Sequence, residues 1–203
     1  MITVIDYGMG NLRSVVKAVE KYTDSVRVSG DPDSIRDSDA LIMPGDGAFG
    51  MAMQHLNELG WVEPLREYIR DNRFFMGICL GFQLLFSSSE EFGSSTGLDI
   101  VPGRVVRFDR DDLKVPHMGW NQVDLRGESR FLRGIPSMSY FYFIHSYYPV
   151  VESEEWILGE AEYGERFSCI VGKGNVIATQ FHPEKSHNAG LKIIENFVED
   201  VCS

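Results

Sequence analysis

Short apolar runs alternate with segments of helical periodicity through the first half of the chain. Four runs have the length and composition of buried strands: Ile2–Asp6, Val26–Ser29, Ala40–Met43 and Phe74–Cys79. After the first run, Asn11 can cap a helix whose apolar residues recur at the i, i+3, i+4 and i+7 positions. Strands that alternate with crossover helices predict an α/β fold with a parallel, doubly wound sheet.

Proline and glycine mark further helix boundaries. Asp31-Pro32 opens a short helical turn, because an aspartate cap is followed by proline at the first helical position. The helix after the third strand is expected to be interrupted between Gly60 and Pro64. A further helix is expected to start over Gly81–Phe86, and the helix Ala189–Val201 closes the chain.

The second half of the chain is richer in strands. Its β-rich segments are separated by glycine, proline or charged turns: Arg104–Phe108, Gln122–Leu125, Tyr140–Val151, Cys169–Gly172 and Val176–Phe181. Neither an internal repeat nor a linker divides the sequence. We therefore predict one domain over residues 1–203, in which a mixed, mostly parallel central sheet is flanked by helices.

Composition and charge exclude several classes of protein. With 43% hydrophobic and 24% charged residues, the 203-residue chain has the composition of an ordinary globular domain. Its formal net charge of -11 would repel a phosphate backbone, so we expect no nucleic-acid partner. The run Asp109-Arg110-Asp111-Asp112 is interpreted as a solvated loop.

The cysteines and the apolar runs indicate the compartment. No apolar stretch approaches the length of a membrane span, about 18 residues, so no membrane partner is expected. The N-terminus lacks the pattern of a signal peptide. Cys79, Cys169 and Cys202 show no CxxC spacing, which favours a reducing compartment. We expect a cytoplasmic protein.

The sharpest chemical signal is Gly77-Ile78-Cys79-Leu80-Gly81, where a predicted strand meets a predicted helix. Small residues on both sides of a nucleophile permit a tight, strained turn that exposes its side chain at the edge of the sheet. The N-terminus of a following helix would favour the thiolate of Cys79. The alternative is a buried structural cysteine, and the two glycines argue against it.

A second signal is the segment Thr179–Ser186, which contains His182 and Glu184. A nucleophilic cysteine benefits from an imidazole base, and the imidazole benefits from a carboxylate that orients it. Pro183 disfavours helix at His182, so that both side chains can point to one side of an extended segment. Taken alone, a histidine before proline is more often a loop or core residue.

A third signal is the glycine-rich loop that follows the third strand, Pro44–Gly47. Glycines let backbone N–H groups approach a ligand closely. One donor from Gly45 or Asp46 and a second from Leu80 could hold a tetrahedral oxyanion. An ordinary turn at the end of a strand is the alternative.

The remaining histidines and cysteines carry no motif. His55, His117, His145 and His187 lack metal-ligand spacing, so no metal site is predicted. Cys169 is interpreted as a packing residue, and Cys202 as inert. No GxGxxG or Walker A pattern is present, so no nucleotide or other cofactor is expected.

Taken together and in this order, the three signals resemble the class-I, or triad, glutamine amidotransferases. Within that class the resemblance is strongest to the HisH family, the glutaminase subunits of imidazole glycerol phosphate synthase. It extends over nearly the whole chain and is carried by these stretches: IDYGMGNLRSV, PGDGAFG, GICLGFQLLF, VPHMGWNQV, FYFIHSYY and ATQFHPEKS. It implies a flavodoxin-like fold, a glutaminase that forms a γ-glutamyl thioester, and L-glutamine as substrate.

The resemblance also assigns roles to individual positions. Cys79 would be the nucleophile, His182 the base and Glu184 the residue that orients it. The residues of the glutamine pocket would be Gly47, Gln83, Ser146 and Tyr147. The surface that faces the partner would include Asn11, Pro116, Met118, Trp120 and Lys185.

The implied partner is a HisF-type (β/α)8 synthase subunit, which forms a heterodimer with the glutaminase. Ammonia would pass to it through an enclosed passage, giving imidazole glycerol phosphate and AICAR in histidine biosynthesis. The sequence departs from the family at Asp46, where a small apolar residue, typically valine, is usual. A carboxylate that faced the site would oppose an oxyanion, whereas alternation along the loop could point it away.

Three other functions stay open at the level of sequence. A HisH-like paralogue would supply ammonia for amidination of a surface-polysaccharide sugar. A stand-alone γ-glutamyl hydrolase or cysteine peptidase would be active without a partner. A binding subunit with a vestigial site would have no activity, which the complete triad argues against.

Overall fold

The computed structural model describes residues 1–109 and 112–203, and consists of helices packed on both faces of a large sheet. Positions 110 and 111 of the predicted acidic loop lie outside the described residues. The α-helices are α1 Leu12–Val19, α2 Phe49–Glu58, α3 Val62–Arg70, α4 Leu80–Gln83 and α5 His187–Val201. No helix in the described ranges is both long and apolar enough to cross a membrane.

Thirteen strands are present in the described ranges. They are β1 Ile2–Ile5, β2 Val26–Ser29, β3 Ala40–Met43, β4 Phe74–Ile78, β5 Phe86–Ser89, β6 Ser95–Thr96, β7 Val101–Arg107, β8 His117–Leu125, β9 Ser139–His145, β10 Tyr147–Val151, β11 Ile157–Glu162, β12 Arg166–Lys173 and β13 Val176–Thr179.

Nine of these strands form the central sheet, in the order β2-β1-β3-β4-β13-β12-β11-β8-β9. Strands β2, β1, β3, β4 and β13 pair in parallel, and the remaining neighbours pair antiparallel. The predicted mixed sheet is confirmed. Parallel pairing accounts for four of its eight adjacent pairs rather than for most, because the strand-rich second half of the chain adds antiparallel neighbours.

The parallel strands are apolar on both sides because each face is covered by helices. Alternate side chains, such as Ile42 and Met76, pack with α1 and α5 on one face. Their neighbours, such as Leu41 and Phe75, pack with α2 and α3 on the other. The predicted α/β architecture with flanking helices is therefore confirmed.

Local sequence signals account for several helix boundaries. Asn11 caps α1, since its side-chain oxygen accepts a hydrogen bond from the Ser14 amide at 3.2 Å. Asp31 precedes a 3-10 turn over Pro32–Asp37, as predicted. The interruption expected between Gly60 and Pro64 separates α2 from α3, although α3 starts at Val62, before the proline.

One prediction about the later elements is wrong. The helix expected over Gly81–Phe86 ends at Gln83, and Phe86 starts β5 instead. Because residues 80–86 are all buried, an amphipathic helix with a solvent face does not fit there.

The β-rich segment predicted over Tyr140–Val151 contains two strands, β9 and β10, which are separated at Ser146. Strand β9 stays in the central sheet, whereas β10 joins a second, four-stranded sheet in the order β10-β7-β5-β6.

Candidate active site

Cys79 lies where β4 turns into α4. Its φ of 56° is in the left-handed region, which is strained for a residue with a side chain. The flanking glycines permit the turn. A Cβ on Gly81 would lie 1.9 Å from the Met43 carbonyl oxygen, and a Cβ on Gly77 would lie 2.8 Å from the Gly81 carbonyl oxygen. The predicted sharp bend after the strand is present, and Cys79 is 7% exposed.

The expected contribution of a helix to the thiolate is small. Helix α4 contains four residues, so its dipole is far weaker than that of a long helix. The group that can stabilise a negative charge on Cys79 is instead the imidazole of His182, which lines the same cleft and whose pKa the neighbouring thiol raises.

The two residues meet because their strands are neighbours. Strands β4 and β13 pair in parallel, with Ile78 opposite Thr179, so both end at the same edge of the sheet. The Cys79 amide donates to the Thr179 carbonyl at 2.8 Å. Three residues beyond that strand end, the His182 amide donates to the Tyr142 carbonyl at 3.1 Å. These bonds fix the backbone on both sides of the thiol–imidazole contact.

Glu184 orients the imidazole from behind. The Nδ1 atom of His182 and the Oε1 atom of Glu184 are 2.9 Å apart, and the Glu184 side chain is 1% exposed. His182 is extended, as Pro183 predicts, whereas Pro183–Lys185 forms a 3-10 turn rather than continuing the extended segment. This turn, and not strand alternation, brings the carboxylate back to the ring.

The surroundings of His182 favour its protonated form. Burial by itself would lower the pKa of His182, but hydrogen bonds to Cys79 and Glu184, with the charges of both groups, raise the pKa to about 10. The second oxygen of Glu184, Oε2, is buried without a hydrogen-bond partner among the described residues. The hydrogen bond to His182 through Oε1 is thus the polar contact of this carboxylate among the described side chains.

Cys79 and His182 line a cleft of about 310 Å³. Predicted site residues on its wall are Asp46, Gly47, Leu80, Gln83, Ser146 and Tyr147, together with Pro116, which was predicted for the partner surface. Gly45 is buried behind the wall. The sequence-predicted catalytic and glutamine-pocket residues are thus gathered in one place.

The loop expected to donate to an oxyanion is in a non-donating geometry. The Leu80 amide donates to the Gly45 carbonyl, at 3.4 Å, and is therefore occupied. Because the peptide that joins Gly45 to Asp46 is trans, the Asp46 N–H points the opposite way from that carbonyl. Rotation of the Gly45–Asp46 peptide would free the Leu80 N–H and bring in the Asp46 N–H as a second donor.

Further contacts hold the loop in this geometry. The Tyr7 hydroxyl donates to the Pro44 carbonyl at 2.8 Å. Burial, together with the charges of Cys79 and Asp46, raises the pKa of Tyr7, so the hydroxyl keeps its proton. The Asp46 carboxylate is exposed and accepts from the Gly10 amide at 3.1 Å. It therefore points towards the N-terminal loop.

Several residues of the cleft were missed from sequence. Glu91 lines it, and its Oε2 atom accepts from the Phe49 amide at 2.6 Å, where α2 begins. Ile144 and His145 also line it. Gln180 does not line the cleft, but its side-chain amide nitrogen is 4.0 Å from the Cys79 sulfur. The acidic pair Glu90-Glu91 at the end of a serine-rich strand was a visible signal, whereas the others depend on strand pairing.

The residues predicted for the partner surface lie outside the cleft, Pro116 excepted. Met118 and Trp120 are 58% and 45% exposed on the outer face of β8. The Trp120 ring stacks on His187, with centroids 4.8 Å apart. Asn11 and Lys185 are both exposed.

The described ranges contain no group of three or more His, Cys, Asp or Glu side chains that could hold a metal ion. Cys169 is fully buried in β12, as a packing residue would be, and Cys202 is exposed near the chain end.

Comparison with known proteins gives matches over nearly the whole chain. The family model described as glutamine amidotransferase class-I matches residues 3–201. Imidazole glycerol phosphate synthase subunit HisH of Syntrophotalea carbinolica is 51% identical over 203 residues, covering 97% of this chain and 98% of that protein. The HisH subunit of Desulfitobacterium hafniense is 49% identical over 197 residues, covering 97% and 93%.

A solved structure shares the fold at much lower identity. The structure of PurLQS from Thermotoga maritima aligns with a TM-score of 0.77 and 15% identity, covering 98% of this chain and 97% of that one.

The raised pKa of His182 predicts an imidazolium that persists well above neutral pH. In ¹⁵N spectra of the full chain with labelled histidine, the ring of His182, assigned by comparison with His182→Asn, should carry a proton on both nitrogens at about pH 8, where an ordinary histidine is neutral. Glu184→Gln removes the charge of one of the two neighbours that raise this pKa, so the ring should lose its second proton at a lower pH. A neutral His182 at about pH 8 in the unsubstituted chain would contradict the raised pKa.

Proposed function

The chain belongs to the class-I glutamine amidotransferase family, and we propose that it is the glutaminase subunit of an imidazole glycerol phosphate synthase. It hydrolyses glutamine to glutamate and ammonia. A HisF-type (β/α)8 subunit then uses the ammonia to make imidazole glycerol phosphate and AICAR in histidine biosynthesis. The observation that carries the proposal is that Cys79 and His182, the latter bonded to Glu184, lie together on the wall of one cleft.

The chemistry begins with the thiolate. Cys79 adds to the side-chain carboxamide carbon of glutamine, and the carbonyl electron pair moves to oxygen. His182 donates its proton to the amide nitrogen, so the C–N bond breaks, ammonia leaves and a γ-glutamyl thioester remains. The neutral imidazole then takes a proton from water. Hydroxide adds to the thioester, the C–S bond breaks, and glutamate leaves with the thiolate–imidazolium pair restored.

The resting loop makes the glutaminase latent. Each oxyanion donor contributes roughly 3–4 kcal/mol to transition-state stabilisation. Neither the Leu80 N–H, which is occupied by the Gly45 carbonyl, nor the opposed Asp46 N–H serves the oxyanion before the peptide rotates. The partner switches the enzyme on by favouring the rotated state, to the extent that it binds that state more tightly.

The partner docks on the outer face of the β8–β9 hairpin. Cross-strand pairs place Met118 beside Ile144 and Trp120 beside Tyr142. Exposed aromatic and methionine side chains are typical of the buried centre of an interface. Ile144 lines the cleft, so this face is continuous with the place where ammonia is released. The heterodimer works in the cytoplasm, where the thiol nucleophile stays reduced.

The acceptor is tested by genetic complementation. The gene should restore growth without histidine to a strain that lacks its own HisH subunit. Failure to restore growth, with glutaminase activity present in the purified chain, would contradict the histidine-pathway assignment and leave the glutaminase intact. A paralogue that serves sugar amidination would give that result.

Replacement of the nucleophile tests the glutaminase itself. Cys79→Ala should abolish glutamate release from glutamine in the presence of the barrel partner and its substrate, because no thioester can form. The matched control is Cys169→Ala, which removes a buried thiol away from the cleft and should leave turnover within about threefold of wild type. Undiminished release by Cys79→Ala would end the proposal.

Asp46 should restrain the isolated chain. Asp46→Ala removes the acceptor of the Gly10 amide, worth about 1 kcal/mol, so turnover without the partner should rise about fivefold and stimulation by the partner should fall. Asp46→Asn keeps an acceptor and should behave more like wild type. A basal rate of Asp46→Ala at or below that of wild type would show that this bond does not hold the loop.

Glu91 should bind the α-ammonium group of glutamine, because it is a carboxylate on the cleft wall. Glu91→Gln keeps an acceptor for the Phe49 amide but removes the charge, and should raise KM for glutamine about tenfold with a smaller change in kcat. The neighbouring Glu90→Gln is the control, since the Glu90 side chain accepts from the Arg107 amide and does not line the cleft. Equal effects of the two variants would contradict the assignment.

A further inference from the structure

Two buried histidines that the triad does not use form a pair beside the cleft. His117 and His145 lie directly opposite each other in the β8–β9 register. The Nδ1 atom of His117 is 2.9 Å from the Nε2 atom of His145. His145 lines the cleft, one residue before Ser146.

The neighbours of the pair fix the direction of every hydrogen bond. The Nδ1 atom of His145 is 2.8 Å from the Tyr147 carbonyl, which can only accept, so this nitrogen carries the proton. The Nε2 atom of His145 must then accept from the Nδ1–H of His117. The Nε2 atom of His117 accepts in turn from the side-chain amide of Asn121, at 3.3 Å. Both rings are therefore neutral, with the proton on Nδ1.

The surroundings keep the rings neutral and fixed. Phe143 and Tyr163 stack on the two faces of His117, with centroids 4.9 Å and 4.1 Å away. Burial lowers the pKa of His117 to about 4 and that of His145 to about 3. A further proton on either ring would set two N–H groups against each other.

The Tyr147 carbonyl, which ends this series of hydrogen bonds, also accepts a hydrogen bond from another side chain. The Gln83 side-chain amide donates to it at 2.9 Å and to the Gln180 side-chain oxygen at 3.0 Å. Gln83 follows the nucleophile by one helical turn, so the Ser146–Tyr147 segment is tied both to the nucleophile turn and, through the histidine pair, to β8. No other polar contact of the His145 ring is present among the described residues.

Strand β8 presents different residues on its two faces. Met118 and Trp120 point outward to the proposed partner surface, whereas His117 and Asn121 alternate with them and lie on the inner face, where Asn121 contacts His117. One strand thus carries the exposed docking side chains and the inner hydrogen bonds that reach the cleft wall.

We propose that His117 and His145 are positioning residues, whose hydrogen-bonded pair holds the Ser146–Tyr147 segment in the geometry that binds glutamine and ties that segment to the partner-facing strand. The inference rests on the proposed glutaminase function. It deepens that function by assigning glutamine affinity, rather than thioester chemistry, to two side chains outside the triad.

Two substitutions at His117 separate hydrogen bonding from packing. His117→Phe keeps an aromatic ring between Phe143 and Tyr163 but leaves the His145 Nε2 atom without a donor. His117→Asn loses the ring, but its side-chain amide N–H lies the same number of bonds from the backbone as the Nδ1 atom of histidine. If His117 acts through packing, His117→Asn should have the higher KM for glutamine. If His117 acts through its hydrogen bond, His117→Phe should have the higher KM.

The measurement is steady-state glutamate release by the complex with the barrel partner and its substrate. His117→Phe should raise KM for glutamine about tenfold and leave kcat within about threefold of wild type. His117→Asn should return KM to within about threefold of wild type. A wild-type KM for His117→Phe, or a higher KM for His117→Asn than for His117→Phe, would overturn the inference while the glutaminase stands. No release by the wild-type complex would overturn the proposed function and this inference with it.

A spectroscopic measurement tests the pair without turnover. In ¹⁵N spectra of the full chain with labelled histidine at neutral pH, both His117 and His145 should be neutral with the proton on Nδ1, the tautomer that is less common in free imidazoles. An imidazolium signal, or a proton on Nε2, for either ring would contradict the hydrogen-bond direction on which the inference depends.

Discussion

The parallel pairing of β4 with β13 is the constraint on which the site depends. It opposes Gly77 to Ala178 and Ile78 to Thr179, and so ends both strands at one edge of the sheet. The thiol follows one strand and the imidazole follows the other, although about a hundred residues separate them in sequence. The packing is close enough that a Cβ on Gly77 would lie 3.1 Å from that of Ala178. A larger residue at position 77 would push the nucleophile away from its base.

Around this fixed pair the site combines rigid and adjustable parts. His182 and Glu184 are buried and hydrogen-bonded, so the base needs no rearrangement before reaction. The loop proposed to bind the oxyanion is the adjustable part, because one peptide rotation would exchange the Gly45 carbonyl for two N–H donors. The segment Ser146–Tyr147, proposed to bind glutamine, lies between these extremes, and Gln83 and the histidine pair both contact its Tyr147 carbonyl. Latency and substrate affinity are thereby assigned to different contacts.

Sequence patterns predicted the parts of the site that local rules determine. The glycines around Cys79 predicted the strained turn, and Pro183 predicted the extended backbone at His182. What depends on distant neighbours was not predictable. The helix expected after Gly81 stops at Gln83 because the segment is buried on all sides and Phe86 pairs in a second sheet. The contact of His117 with His145 follows from the β8–β9 register, and the direction of the Asp46 side chain follows from the Gly10 amide. No periodicity or spacing in the chain encodes either contact.

The thioester is the most direct sign of the proposed chemistry. Acid quenching of the complex with the barrel partner during turnover of glutamine, followed by peptide mass spectrometry, would locate any γ-glutamyl group on the chain. The mechanism predicts that group on Cys79 and on neither Cys169 nor Cys202. Glutamate release without an adduct on Cys79, or with the adduct on another residue, would contradict it.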